Sequence, residues 1–411
     1  MVIAQVPRRF VREEWGGTET VILETSKRIL AAGHSTAIVC PNALADRDGE
    51  EIGGVPVRRF SYFYPYLGLS SEAKVLMDKK GGNLFSFPLM GELLRWPELD
   101  LIHLHTLKRT GGIGRYVARR RGIPYVVSLH GGVFDVPVAE AATFTEPTRG
   151  AFEWGKALGW WVGSNRVLAD AACILCVGDS ERKATGERYP GNRVEWLPNG
   201  VDVRRFACGD GPAFRARFGI PADAFVVLTV GRIDGQKNQL LPVRALKELR
   251  RIQPRTHLLL IGPVTNPAYR QQLEQEIRER ELGAQVTLIP GLDNAGNDLT
   301  DAYHAADLFL LPSMHEPFGI VILEAWAAGL PVLASHVGGI PSFVENGTDG
   351  ILFAPSEERE FTESYAGLAK NADLRRRIAE AGRKKATEHF DWDRITSRLL
   401  NIYAEVIRPT S

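Results

Sequence analysis

Glu316 and Glu324 bracket a segment that reads Ser313-Met314-His315-Glu316-Pro317-Phe318-Gly319-Ile320-Val321-Ile322-Leu323-Glu324. Ahead of it, Leu308-Phe309-Leu310-Leu311 is continuously apolar and runs into Pro and Ser, the pattern of a short buried strand. The residues after Gly319 read as a helix, with Pro317 where a first-turn proline is tolerated. Glu316 then sits on a strand-to-helix loop, and Glu324 lies inside an otherwise apolar helix. A carboxylate buried there needs a partner. Backbone N–H groups of Phe318 and Gly319 at the helix start welcome an anion. The segment thus joins an anion site to two carboxylates that accept hydrogen bonds from hydroxyls. A sugar nucleotide carries both kinds of group.

Other residues suit the same ligand. Val230-Gly231-Arg232-Ile233-Asp234-Gly235-Gln236-Lys237-Asn238 follows a strand candidate and opens a helix. Arg232 as a fork and Lys237 as a point charge can converge on a diphosphate from one loop. Trp15-Gly16-Gly17-Thr18-Glu19 leads into the first helix, where paired glycines can bring backbone N–H groups to an anion or a sugar. It lacks the G-x-G-x-x-G spacing of a dinucleotide site. His130 ends an apolar run and precedes Gly131-Gly132, which places it on the ligand side of a parallel sheet. His103 and His105 flank Leu104 and share one face of a strand end, a pair without the further ligands a metal needs. Asp46-Arg47-Asp48 and Asp391-Trp392-Asp393 match a D-x-D pattern but follow no buried strand, so no metal site is expected. Cys173-Ile174-Leu175-Cys176 lies within an apolar run. Its two sulfurs would face opposite sides of a strand.

These residues need a frame. With 411 residues, 44% hydrophobic and 24% charged, the chain has the composition of a globular protein too long for a single ordinary core. Short apolar runs alternate with amphipathic segments, which predicts parallel α/β architecture. Expected strands are 2–6, 36–40, 55–60, 101–104, 125–129, 173–177 and 193–197, then 225–230, 258–261, 286–289, 308–311, 331–334 and 351–353. Expected helices include 18–32, 112–121, 151–169, 180–188, 239–252, 268–282, 300–305 and 320–328. A polar, Gly- and Pro-bearing stretch from Ala207 to Pro212 marks a linker. The organisation expected is two Rossmann-like doubly wound domains facing across a cleft, 1–205 and 206–390, with a helix from 391 to 411 that returns to the first domain.

Lys plus Arg number 50 against 49 Asp plus Glu, so the net charge of +1 argues against a nucleic-acid partner. No apolar run reaches the ~18 residues of a membrane span, and the N-terminus lacks the order of charges of a secretory signal. Four cysteines form no disulfide framework, which points to the reducing cytoplasm. Local charge is a separate matter. Lys108 to Arg121 carries six basic residues and no acid, and Phe60 to Leu67 is rich in aromatics. That combination suits peripheral contact at the inner face of a membrane, or a phosphate-bearing acceptor.

Together, Gly16-Gly17, His130-Gly131, Pro198-Asn199-Gly200-Val201-Asp202, Gly231-Arg232 with Lys237, and Glu316 with Glu324 resemble the retaining glycosyltransferases of family 4, which have the GT-B fold. The order and approximate distances match over essentially the whole chain. The E-P-F-G-x-x-x-x-E element is the most specific part, followed by Gly329-Leu330-Pro331-Val332, Gly338-Gly339-Ile340-Pro341 and Asn346-Gly347. The resemblance implies that Arg232 and Lys237 neutralise the diphosphate of a nucleotide-sugar donor and that Glu324 accepts from ribose hydroxyls. It implies that Glu316, with Phe318, Gly319 and Ile320, holds the donor sugar, that His130 lines the reaction centre, and that Gly16, Gly17 and Asn199 contact substrate. It further implies transfer with retention, no metal or other cofactor, and a glycan or lipid-linked acceptor, as in surface polysaccharide synthesis. Asn238 stands where a glycine is commoner, and Gly131 where some members have Asp. A non-hydrolysing sugar-nucleotide epimerase and a non-catalytic glycan-binding protein are the competing readings of this fold.

Overall fold

The computed structural model describes residues 1–12, 15–131, 148, 150–292 and 296–408. Two compact units divide the chain: unit 1 is Met1–Pro198 with Trp392–Ser411, and unit 2 is Asn199–Asp391.

Unit 1 contains strands β1 (Val2–Val6), β2 (Ser35–Pro41), β3 (Gly49–Ile52), β4 (Val55–Phe60), β5 (Tyr66–Leu67), β6 (Leu101–Leu104), β7 (Tyr125–Leu129), β8 (Phe152–Glu153), β9 (Cys173–Cys176) and β10 (Val194–Trp196). Eight of them form one sheet in the order β10-β9-β7-β6-β1-β2-β4-β3, parallel except for the β3–β4 hairpin. Successive side chains alternate between its faces, and both faces are covered, so the central strands are apolar throughout. Ala4, Ile102, Val127, Ile174 and Cys176 pack under the helices Phe87–Arg95 and Lys108–Arg121. Ile3, Leu101, Val126, Cys173 and Leu175 pack against Trp392, Ile395, Leu399 and Ile402 of the helix Trp392–Ile407. The two sulfurs of the C-x-x-C run therefore lie on opposite faces.

Unit 2 contains β11 (Phe225–Val230), β12 (Thr256–Ile261), β13 (Val286–Ile289), β14 (Leu308–Leu311), β15 (Val332–Ser335) and β16 (Ile351–Phe353), all parallel, in the order β13-β12-β11-β14-β15-β16. This is the doubly wound arrangement in which strand order reverses once, here between β11 and β14. Val227, Leu258, Leu260, Leu308 and Phe353 anchor the core beneath the helices Leu240–Ile252, Pro267–Glu279 and Glu358–Lys370.

The structure departs from sequence-based expectation in four places. The units divide at Pro198–Asn199, not at 205–206, because Val201 is tied into unit 2 by its N–H to the Phe390 carbonyl at 2.8 Å. The expected linker is packed chain. Asp210 caps a helix at Gly211–Arg217 by accepting from the Ala213 N–H at 2.9 Å, and a Cβ on Gly211 would stand 2.2 Å from the His304 carbonyl oxygen. The expected helix 151–169 is instead β8, a helix at Lys156–Val162 and a 3₁₀ turn at Ser164–Arg166. Gly163, with φ +65°, ends that helix in the left-handed conformation glycine favours. Finally, the helix after Gly319 begins at Ile320, so Pro317 lies on the loop ahead of it.

Candidate active site

Where strand order reverses, the loops leaving the carboxyl ends of β11 and β14 lie side by side in unit 2, the position of the ligand crevice in a doubly wound sheet. The β11 loop carries Arg232 and Lys237, and the β14 loop carries Glu316. Asp234 folds the first loop: its carboxylate accepts from the Lys237 N–H at 3.0 Å and from the Thr265 hydroxyl at 3.1 Å. Asn238 follows at φ +54°, a conformation glycine favours and asparagine tolerates better than most. The loop sits close to its neighbour, since a Cβ on Gly262 would lie 1.9 Å from the Gly231 carbonyl oxygen.

The geometry brings two of the expected residues into contact. The Lys237 ammonium is ion-paired with the Glu316 carboxylate, both largely buried, and the Ser313 hydroxyl stands 3.4 Å from the same oxygen. Arg232 is exposed at the rim, donating to Gln236 at 2.9 Å and lying 3.4 Å from Asp234. Gln236 in turn donates to the His315 carbonyl at 3.1 Å, and its own carbonyl accepts from Met314 N–H at 2.8 Å. Gln236 thus couples the two loops; its single side chain gave no signal in the sequence. The Glu316 loop is clamped from behind. Gly339 N–H donates to the Glu316 carbonyl at 2.9 Å, and Cβ atoms on Gly338 and Gly339 would each fall 2.1 Å from the carbonyl oxygens of Glu316 and Pro317.

Gly319 turns the chain at φ +98° into the helix Ile320–Ala327. Among the described residues, no hydrogen bond uses the N–H groups of Phe318 or Gly319. They and the positive end of the helix stand ready for an anion. Glu324 lies along that helix, half-buried, and accepts from the Tyr303 hydroxyl at 2.6 Å. Burial raises its pKa, with the Tyr303 hydrogen bond opposing that rise. Tyr303 comes from the preceding helix, Asp298–His304, and no spacing rule pointed to it. Asn199 is buried with its amide oxygen unpartnered among the described residues.

Unit 1 holds the remaining candidates. Gly16 caps the helix Gly17–Ala31, but its N–H donates to the Glu19 carboxylate at 3.1 Å. That N–H is occupied, contrary to the expectation that it faces a ligand. Gly132, after His130 and Gly131, lies outside the described residues. His130 follows β7, and its Nε2 lies 3.0 Å from His105 Nδ1. His105 Nε2 lies 2.8 Å from Oε1, the side-chain amide carbonyl of Gln5. The carbonyl can only accept, so His105 Nε2 donates; Nδ1 must then accept, and His130 Nε2 carries the proton. The His103 ring lies 4.0 Å from the His105 ring, tilted by 41°, and bonds the Tyr403 hydroxyl at 2.6 Å and the Ser128 hydroxyl at 2.7 Å. Burial pushes His130 down to about 4 and His103 to about 3, and drives His105 well below its usual value. The pair that spacing placed on one strand face belongs to a neutral hydrogen-bonded chain ending at His130.

Residues 16–200 match the family described as Glycosyl transferase 4-like domain, and residues 210–385 match Glycosyl transferases group 1. A D-inositol 3-phosphate glycosyltransferase of Salinispora arenicola is 30% identical over 410 residues, 95% of this chain and 88% of the relative. D-inositol 3-phosphate glycosyltransferase 2 of Catenulispora acidiphila is 31% identical over 417 residues, covering 95% and 90%. In fold, the chain is similar to Anabaena Alr3699/HepE, solved in complex with UDP, with a TM-score of 0.73 at 20% identity over 98% of this chain and 100% of that one. The chain belongs to the family-4 type of glycosyltransferases, built on the GT-B fold.

Proposed function

We propose that this glycosyltransferase moves a sugar, with retention of anomeric configuration, from a uridine diphosphate sugar to an acceptor hydroxyl, without a metal ion. The observation that carries the reading is the Lys237–Glu316 pair at the strand-order reversal, beside the unused N–H groups of Phe318 and Gly319. An ammonium has three donors. Among the described residues Lys237 spends one on Glu316, which leaves two for phosphate oxygens. As the glycosidic bond breaks, charge builds on the diphosphate, and Lys237, Arg232 and the helix end at Ile320 stabilise it there. Glu324, oriented by Tyr303, accepts from the ribose hydroxyls. Glu316 accepts from hydroxyls of the donor sugar, and His130 lines the reaction centre.

Uridine is favoured because Anabaena Alr3699/HepE, one of the solved proteins of similar fold, was solved in complex with UDP and with UDP-glucose. The acceptor proposed is a glycan or lipid-linked glycan in surface polysaccharide synthesis on the cytoplasmic side. The names of the curated relatives favour a second acceptor, an inositol phosphate. A thermal-shift series with UDP, GDP and ADP, each with magnesium or with chelator, tests the donor. Stabilisation by UDP regardless of metal is expected; stabilisation only with magnesium overturns the metal-free reading. Turnover of UDP-sugars with inositol 3-phosphate and with lipid-linked glycans separates the acceptors, and the anomeric coupling of the product reports retention.

A further inference from the structure

Unit 1 carries a surface whose polarity runs opposite to what water selects. β5 and β8 pair as an antiparallel ribbon, with Leu67 opposite Phe152. These side chains are 61% and 67% exposed. On the other face of the ribbon Glu153 turns inward and is ion-paired with the buried guanidinium of Arg109. Trp154, the residue after β8, is 44% exposed. Trp154 stacks on Phe63 at 5.9 Å, Phe63 on Phe87 at 6.0 Å, and Phe87 lies 6.4 Å from Trp161. Next to Trp161 on the same helix, Trp160 is 85% exposed. A contiguous apolar face of this kind on the outside marks a docking surface.

Its chemistry selects the partner. Tryptophan and tyrosine collect at the membrane–water interface, where the ring is buried and its polar edge stays wet. Among the described residues, the indole N–H groups of Trp154, Trp160 and Trp161 make no hydrogen bond. Cations rim the face. Lys156 is exposed one turn before Trp160, and exposed Arg119 and Arg120 follow Tyr116 by one turn, whose ring is 5.1 Å from Trp161. Among the described residues no helix is long and apolar enough to cross a membrane, so contact is with the surface. We infer that this face of unit 1 docks on an anionic bilayer, with Phe152, Trp154 and Trp160 among the headgroups and Lys156, Arg119 and Arg120 on lipid phosphates.

Flotation of the intact protein tests this with vesicles of phosphatidylcholine alone or mixed with phosphatidylglycerol. The protein should float with the mixed vesicles at low salt and less so as salt rises. Combined Phe152→Ser, Trp154→Ser and Trp160→Ser should lower the bound fraction about tenfold. Met314→Ser, which removes an exposed apolar side chain of unit 2, should not change it. Lys156→Glu with Arg120→Glu leaves the aromatics in place and should abolish the preference for the anionic lipid; circular dichroism melts report whether each variant is folded. Wild-type protein that stays at the bottom with both vesicles overturns the inference. So does a folded triple-serine variant that floats as the wild type does, or a light-scattering dimer that this variant dissociates without any flotation, which would assign the face to a second copy. Flotation needs neither donor nor acceptor, so its failure leaves the transfer reading untouched, and failure of UDP binding leaves this one untouched.

Discussion

The Lys237 ammonium and the Glu316 carboxylate, 79 positions apart in the chain, form an ion pair largely shut off from solvent. Breaking such a pair from one side strands a charge, which costs about 3–5 kcal/mol in buried sites. Lys237→Ala should therefore do two things: lower turnover by about one to two orders of magnitude or more through lost diphosphate stabilisation, and lower the unfolding free energy. Lys237→Met with Glu316→Gln should recover much of the stability and none of the turnover. Near-normal kcat in Lys237→Ala would remove the lysine from the chemistry.

Tyr303 and Glu324 make the second pair. Tyr303→Phe keeps the ring and deletes the donor at 2.6 Å. A hydrogen bond to a charged group is worth about 1.5–3 kcal/mol, so UDP affinity should fall by about tenfold or more. Glu324→Gln should additionally erase discrimination between UDP and its 2′,3′-dideoxy analogue. Calorimetric titration reads both, and equal affinity of wild type for the two nucleotides would dissociate Glu324 from ribose.

How much of this was legible beforehand follows from locality. The strands of both sheets show in the sequence because they are covered on both faces, which leaves runs such as Phe225–Val230 and Leu308–Leu311 without polar interruption. The helices Ser71–Lys80 and Phe87–Arg95 escaped notice although Ser70 and Ser86 cap them, because exposed Val75, Leu76 and Phe87 blur the apolar stripe. β3 escaped because it is a polar edge strand bearing Glu50 and Glu51. At the site, single residues on strand-to-helix loops could be named from motif and spacing. Their partners could not. Lys237 meets Glu316 only because the sheet order sets β11 beside β14, and Tyr303 meets Glu324 because the helices before and after β14 touch. Gly338 and Gly339 likewise carry meaning only once the Glu316 and Pro317 carbonyls are seen against them.

His105 holds His130 from behind. His105→Phe keeps a ring in the space but removes the acceptor for His130 Nε2–H. The expected outcome is a kcat lowered by roughly tenfold, less than the ~10²–10⁴-fold that losing an acid–base group outright costs, with UDP affinity unchanged. ¹⁵N chemical shifts of the His130 ring should show the Nε2–H tautomer in wild type and a mixture in the variant. A single unchanged tautomer in both would end the positioning role.

Acid should unfold the protein early. His130 and His257 are held down to about 4 and His103 to about 3, all by burial, against an ordinary 6.5. Below 6.5 the unfolded chain takes up protons that the folded chain refuses, so stability is full above that pH and is lost as pH falls toward 4 and 3. The melting temperature should be level near pH 8 and drop steadily below about 6.5. His257→Gln, remote from the crevice, should soften that slope without touching turnover. A melting curve that ignores pH across this window would contradict neutral, buried histidines.

The helix Trp392–Ile407 gives unit 1 a split pedigree, with unit 2 strung as one continuous loop between its parts. Trp392, Ile395, Leu399 and Ile402 close one face of the first sheet, and Tyr403 closes the polar chain behind His130. During synthesis, residues 1–198 therefore emerge first yet lack the cover for Ile3, Leu101 and Leu175, while unit 2 emerges with its core complete. Unit 2 can settle on the ribosome, and unit 1 matures only after the helix Trp392–Ile407 has emerged. The half of the enzyme made first is finished last, and until then its uncovered sheet is the segment chaperones have reason to hold.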